Sequence, residues 1–241
     1  MLFELNDIKS FSKVLKTTSN ILDEVAIILD EDGVRLSVLD RPHICFVNAE
    51  WSNTYFDTYM VSKPLKINVD LDELVKVLGR GKVNDTMSVD VIGADLVIVF
   101  NGESKRTFKI RLLDDTVENP SLPDMSFDTE IEFVFDDFID CLKDTKVFND
   151  QKIKFSNIGD KLNFYADGNY GEYNGALLLT ETNNVESVAV YSTSYLDYFA
   201  PLNSMCDLLK FQYGTDTPCK VIIDDDNGCT VSFLIAPRIE E

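Results

Sequence analysis

The sequence predicts an α+β fold in which one β-rich domain, carrying two helices, occurs twice. Three observations predict it. Most of the 241 residues fall into short runs with alternating apolar positions, separated by turn signals. Only four segments have helical periodicity. The order helix, paired strands, second helix, further strands runs from residue 1 to about 112 and again from about 130 to 241.

Taken in order, Asn6 or Asp7 caps a first helix that runs through Lys16 and gathers Ile8, Phe11, Val14 and Leu15 on one side. VAIILDEDGVRLSVLD then makes two strands about the turn pair Asp32-Gly33. A second helix, Asp70 to Arg80, has acids in its first turn and cations in its last, as the helix dipole favours. TMSVDVIGADLVIVFNG and RTFKIRLLD return to the strand pattern. DDTVENPSLPDMSFD, with Pro120, Pro123 and five acids, reads as an extended surface linker. The expected organisation is therefore an N-terminal domain 1–112, a connector 113–129 and a C-terminal domain 130–241.

In the second copy, Phe135 to Lys146 is helical, with Phe138, Ile139 and Leu142 on one face. KIKFSNIGDKLNFYADG and YNGALLLT are strands. A fourth helix is expected at Thr193 to Asn203, where Pro201 should break it. LLKFQYG, CKVIIDDDNG and CTVSFLIAP complete the series, with Asn227-Gly228 as another tight-turn pair.

A hydrophobic fraction of 45% and a mean hydropathy of -0.05 are ordinary for a soluble globular chain. No apolar run approaches the roughly 18 residues of a membrane span. MLFELNDIKSF carries charges where a secretory signal needs an apolar core, so the protein is expected to be soluble and to stay where it is made. The five cysteines are odd in number and lack CxxC spacing, which suits buried thiols in a reducing compartment.

The formal charge of -20 argues at first against nucleic acid, yet the charge is unevenly spread. Residues 1–114 hold 14 Lys and Arg against 18 Asp and Glu, a net of -4, and residues 115–241 hold 8 against 24, a net of -16. Lys9, Lys13 and Lys16 share one helical face, Lys76 and Arg80 are spaced i, i+4 with Lys82 just beyond, and Lys143 and Lys146 are spaced i, i+3. Eight of the 22 basic residues thus sit in or beside three helices. Stability does not explain this segregation, since an exposed pair is worth about 0–1 kcal/mol. A phosphate-facing surface does, and it would hold backbone without reading bases. The plainer alternative is an acidic β-rich binding module whose helix lysines are merely solvated.

No catalytic constellation is present. His43, the only histidine, follows Pro42 at a strand entrance and suits a structural or partner-contact role. LGRGKVND is no phosphate loop, because Lys76 and Val83 stand where such a loop needs Gly and Ser or Thr. Asp224 to Gly228 fails as a calcium loop, with Ile223 and Leu234 at the first and twelfth positions. No metal, no cofactor and no enzymatic activity are expected.

Several stretches resemble the sliding clamps of the proliferating cell nuclear antigen family, in particular the archaeal type. They are DGVRLSVLDRPHICFV, INVDLDELVKVLGRGKVND, RTFKIRLLD and the terminal SFLIAPRIEE, and the likeness covers the whole length. The resemblance implies the DNA clamp fold in a homotrimeric ring, with helices lining the hole and sheets continuing across subunits. It implies a processivity factor that encircles double-stranded DNA in the nucleoid. DNA polymerase, clamp loader, flap nuclease and DNA ligase would be its partners through short peptide motifs. The DNA-facing cations would be Lys9, Lys13, Lys16, Lys76, Arg80, Lys82, Lys143 and Lys146. The peptide pocket would use Leu39, His43, Val117, Leu122, Pro218, Leu234, Ala236 and Pro237. Subunits would join through the strands of Phe108 and Ile110 and of Leu177 and Leu179.

Two features depart from the family pattern. STSYLDYFAPLN carries no Lys or Arg where clamps commonly place some, and Pro120 replaces an aliphatic residue of the connector. Two other readings stay open, one subunit of a heterotrimeric replicative or checkpoint clamp, and the acidic binding module.

Overall fold

The computed structural model describes residues 1–241 apart from 115, 116, 122–124, 184, 240 and 241. The first half of the chain runs β1 (Phe3–Leu5), α1 (Ile8–Ser19), β2 (Glu24–Leu29), β3 (Gly33–Leu39), β4 (Cys45–Ser52), β5 (Thr58–Tyr59), β6 (Leu65–Asp70), α2 (Leu71–Leu78), β7 (Thr86–Ile92), β8 (Asp95–Asn101) and β9 (Arg106–Arg111). The second runs β10 (Thr129–Val134), α3 (Phe135–Thr145), β11 (Lys152–Ile158), β12 (Lys161–Gly168), β13 (Gly171–Leu178), β14 (Glu181–Thr182), β15 (Val188–Ser192), α4 (Thr193–Leu196), β16 (Leu208–Tyr213), β17 (Cys219–Asp224) and β18 (Cys229–Ile235).

Each half is strand, helix, five strands, helix, three strands. The pairing repeats as well. The order β5-β1-β7-β8-β9 is matched by β14-β10-β16-β17-β18, and β4-β3-β2-β6 by β13-β12-β11-β15. This is the α+β fold with two helices per copy that the repeated order predicts. By compactness the chain divides into one unit of 1–41, 47–122 and 224–231 and another of 42–46, 123–223 and 232–241, so β4 and β18 each contribute residues to both.

In the first unit, α1 and α2 lie side by side. Phe11 of α1 packs on Trp51 at 4.9 Å and on Phe3 at 6.0 Å between ring centroids. Val14, Leu15, Leu71, Leu74 and Leu78 complete the buried stripe. In the second unit, Phe138 of α3 is fully buried and meets the rings of Phe133, Phe155, Phe164, Phe199 and Phe211 at 5.3–6.4 Å. Such pairs add about 0.5–1.5 kcal/mol each beyond burial.

Three expectations are corrected. First, α1 extends to Ser19 rather than ending at Lys16. Second, α2 stops at Leu78, because Gly79 caps it and Arg80 N–H turns back to Val77 O, so Arg80 lies in the following turn. Third, Pro201 does not break a long fourth helix. Here α4 is a single turn, and Pro201 occupies the first turn of a separate 3-10 segment, Ala200–Ser204, where its missing N–H needs no partner.

Gly33 opens β3 with φ 150, and a Cβ there would lie 2.0 Å from the Trp51 carbonyl oxygen. Since backbone must then shift, Gly33→Ala is expected to destabilise the protein by at least about 2 kcal/mol. Thermal unfolding should show a Tm lower by roughly 4–8 °C.

Candidate functional site

The basic surface of the first unit is assembled from two capped helices. Asp7 accepts from Ser10 N–H at 3.2 Å and starts α1, and Asp70 accepts from Glu73 N–H at 3.0 Å and starts α2. With Ile8, Phe11, Val14, Leu15 and Thr18 turned inward, the 3.6-residue period leaves Lys9, Lys13 and Lys16 on the opposite side. Lys9 and Lys16 are exposed and Lys13 half-buried. The turn after α2 crosses the start of α1, as a Cβ on Gly81 would sit 3.0 Å from the Ile8 side chain. That brings exposed Arg80 and Lys82 to the same end of the helix pair.

The cations are not equivalent. Among the described residues, no carboxylate lies within ion-pair distance of Lys9, Lys16 or Arg80. Lys76 instead donates to Glu73 at 2.7 Å, and this hydrogen bond and the Glu73 charge push its pKa upward. Lys82 stands 3.6 Å from Glu103.

In the second unit both predicted cations are engaged. Lys143 pairs with Asp140 at 2.9 Å, and half-buried Lys146 forms an ion pair with Asp197, bracing α3 against the residue that follows α4. Asp136, Asp137, Asp140 and Asp144 are exposed on α3, and α4 has no Lys or Arg. Of the predicted helix cations, and among the described residues, those with no carboxylate within ion-pair distance are therefore Lys9 and Lys16 of α1 and Arg80 of the turn after α2.

The predicted pocket residues fall into two groups. In the first unit, Leu39 at the end of β3 and Val117 are half-buried, and Val117 O accepts from Lys66 Nζ at 3.0 Å. In the second unit, Pro218, Leu234, Ala236 and Pro237 are half-buried, and His43 is exposed with φ 61. Ala236 N–H donates to Ile44 O at 2.9 Å, fixing the chain that leaves β18. Leu122 lies outside the described residues.

Of the strands predicted to join subunits, β9 and β13 are each the last in their sheet order. Phe108 is half-buried against Phe100 at 5.8 Å, and Leu179, just beyond β13, donates its N–H to Asp160 O at 2.9 Å. Ile110 and Leu177 are buried within their own units, so neither offers a surface. Leu178, 66% exposed, takes that place on β13. Its neighbour Leu177 alternates to the core side, a distinction that three consecutive leucines in the sequence conceal. On β9 the exposed positions are Thr107, Lys109 and Arg111. Among the described residues there is no group of three or more His, Cys, Asp or Glu that could hold a metal, and no helix is long and apolar enough to cross a membrane.

The family model for the N-terminal domain of proliferating cell nuclear antigen matches residues 2–118. A DNA polymerase sliding clamp of Methanothermobacter thermautotrophicus is 36% identical over 238 residues, covering 98% of this chain and 97% of that one. Another from Methanobrevibacter smithii is 34% identical, covering 98% and 97%. Among solved structures, the PCNA2-PCNA3 complex of Sulfolobus tokodaii superposes with a TM-score of 0.90 at 22% identity over all of both chains. A. fulgidus PCNA with the C-terminal region of FEN-1 bound does so with a TM-score of 0.90 at 20% identity, again over all of both chains. These two likenesses are of fold.

Proposed function

The chain belongs to the family of DNA polymerase sliding clamps, and from that premise we infer that three copies close into a ring that encircles duplex DNA. One observation carries the ring. Within the chain, β18 lies beside β4, with Ala236 N–H on Ile44 O and Ser52 N–H on Gly228 O. Under the repeat, the counterparts of β18 and β4 are β9 and β13, and among the described residues these two are free edges. Free edges of this kind must be covered or paired. Pairing β9 of one copy with β13 of the next would repeat the β18–β4 pairing between subunits, and a head-to-tail contact that closes gives a ring. The exposed cations of β9, Lys109 and Arg111, would then approach a strand that carries Glu172.

The helix cations supply loose phosphate contacts, which hold DNA without reading its sequence and so allow sliding. Three copies carry a formal charge of 3 × -20, or -60, which discourages DNA from lying on the outside. The protein tethers and does not catalyse. Its clients (polymerase, flap nuclease, ligase and the loader) would insert a peptide with apolar anchors at Leu39, His43, Val117, Leu122, Pro218, Leu234, Ala236 and Pro237, the usual form of a binding hot spot. This mode of action belongs in the cytoplasm, on the nucleoid.

The test is topological. Clamp loaded onto a nicked circular duplex should co-elute with it through gel filtration, and cutting the circle should release the protein. Equal retention on circular and cut DNA would mean ordinary surface binding and would refute encirclement.

A further inference from the structure

Arg106, the first residue of β9, reaches away from the strand and into the turn that follows α2. Its Nη1 donates to Arg80 O at 2.6 Å, and its Nη2 is paired with the Asp85 carboxylate, which is 3% exposed. The same Asp85 oxygen accepts from Lys82 N–H at 2.6 Å. The guanidinium lies 5.2 Å from the centre of the Phe100 ring, which fixes its plane. Gly102 completes the enclosure, since a Cβ there would stand 2.1 Å from Asp85 Oδ1. One side chain thus holds the backbone of Arg80 directly and that of Lys82 through Asp85.

We propose that Arg106 is a positioning residue for DNA, seating Arg80 and Lys82 toward phosphate and making that seat depend on the strand assigned to ring closure. The inference rests on the DNA-facing reading of these two cations. Helix geometry does not place them, because α2 ends at Leu78 and both lie beyond it. A lysine would keep the charge but not the planar fork that grips a carbonyl and a carboxylate at once.

The experiment measures binding of the purified protein to a short duplex across a range of salt, for Arg106→Lys, the double variant Arg80→Ala with Lys82→Ala, and the unaltered chain. Amide hydrogen exchange at Lys82 is followed in parallel. The expected result is faster exchange at Lys82 in Arg106→Lys and a shallower salt dependence. The slope should fall by roughly 0.9 for each phosphate that is no longer neutralised, as far as in the double variant. A slope unchanged by Arg106→Lys, but lowered by the double variant, would overturn the positioning role and leave the DNA-facing assignment standing. A slope that the double variant also leaves unchanged would remove that assignment and the inference with it. Should Arg106→Lys not fold, Asp85→Asn, which keeps the shape of the acceptor, carries the same expectation.

Discussion

Replacing Lys9, Lys16 and Arg80 together by Glu is expected to abolish stimulation of a DNA polymerase by the clamp. These three are chosen because no carboxylate already offsets them among the described residues. A charge pair at about 4 Å in water is worth about 1 kcal/mol, so reversing one member shifts each phosphate interaction by about 2 kcal/mol. Two such interactions suffice for a loss of roughly 10³-fold. The fold should survive, since substitutions at such surface positions usually move stability by less than about 0.5 kcal/mol. Reversal of Lys143 is the internal control. Asp140 already holds it at 2.9 Å, and exposed acids surround it on α3, so stimulation should fall by less than about tenfold. Equal losses from both variants would show that DNA does not distinguish the two helix surfaces. Full activity of the triple variant would remove α1 from the DNA path.

The repeat and its strands were legible because each rests on local pattern. Apolar alternation, turn pairs such as Asn227-Gly228 and the capping acid Asp7 act within a few residues of chain. Helix ends were less legible. Gly79 could continue a helix or end one, and what decides is the 3-10 tightening that turns Arg80 N–H back to Val77 O. Pro201 shows the same limit, since a proline that forbids one long helix also suits the first turn of a short one. The cations were found by spacing, but their pairing was not. That Lys146 is spent on Asp197, 51 residues away, depends on how α3 meets the end of α4. Ile110 and Leu177, expected on a joining surface, are both buried, because a period of two gives no sign of which face is out. Arg106 carried no local signal, since both its partners lie more than 20 residues back along the chain.

Changing Leu178 to Asp is expected to take the clamp apart without unfolding it. In solution the unaltered chain should scatter light as about 82 kDa, three times its 27.3 kDa, and the variant as 27.3 kDa at micromolar concentration. Leu178 is 66% exposed on the end strand of its sheet order, where a neighbouring subunit pairing with that strand would cover it. Covering a leucine is worth about 1.5–3 kcal/mol. A carboxylate put in its place must be desolvated when the strand is covered, adding at least about 1–3 kcal/mol. Together these weaken each junction by roughly 10²–10⁴-fold, and a ring has three of them. The isolated subunit should keep its far-UV spectrum, while its Tm falls because the stabilisation by association is gone. A variant that stays at 82 kDa would place the closing edge elsewhere than β13. An unaltered chain that scatters as 27.3 kDa would leave β9 and β13 as edges awaiting a different, related chain. In that case the same substitution should block assembly with that partner while β9 remains able to pair.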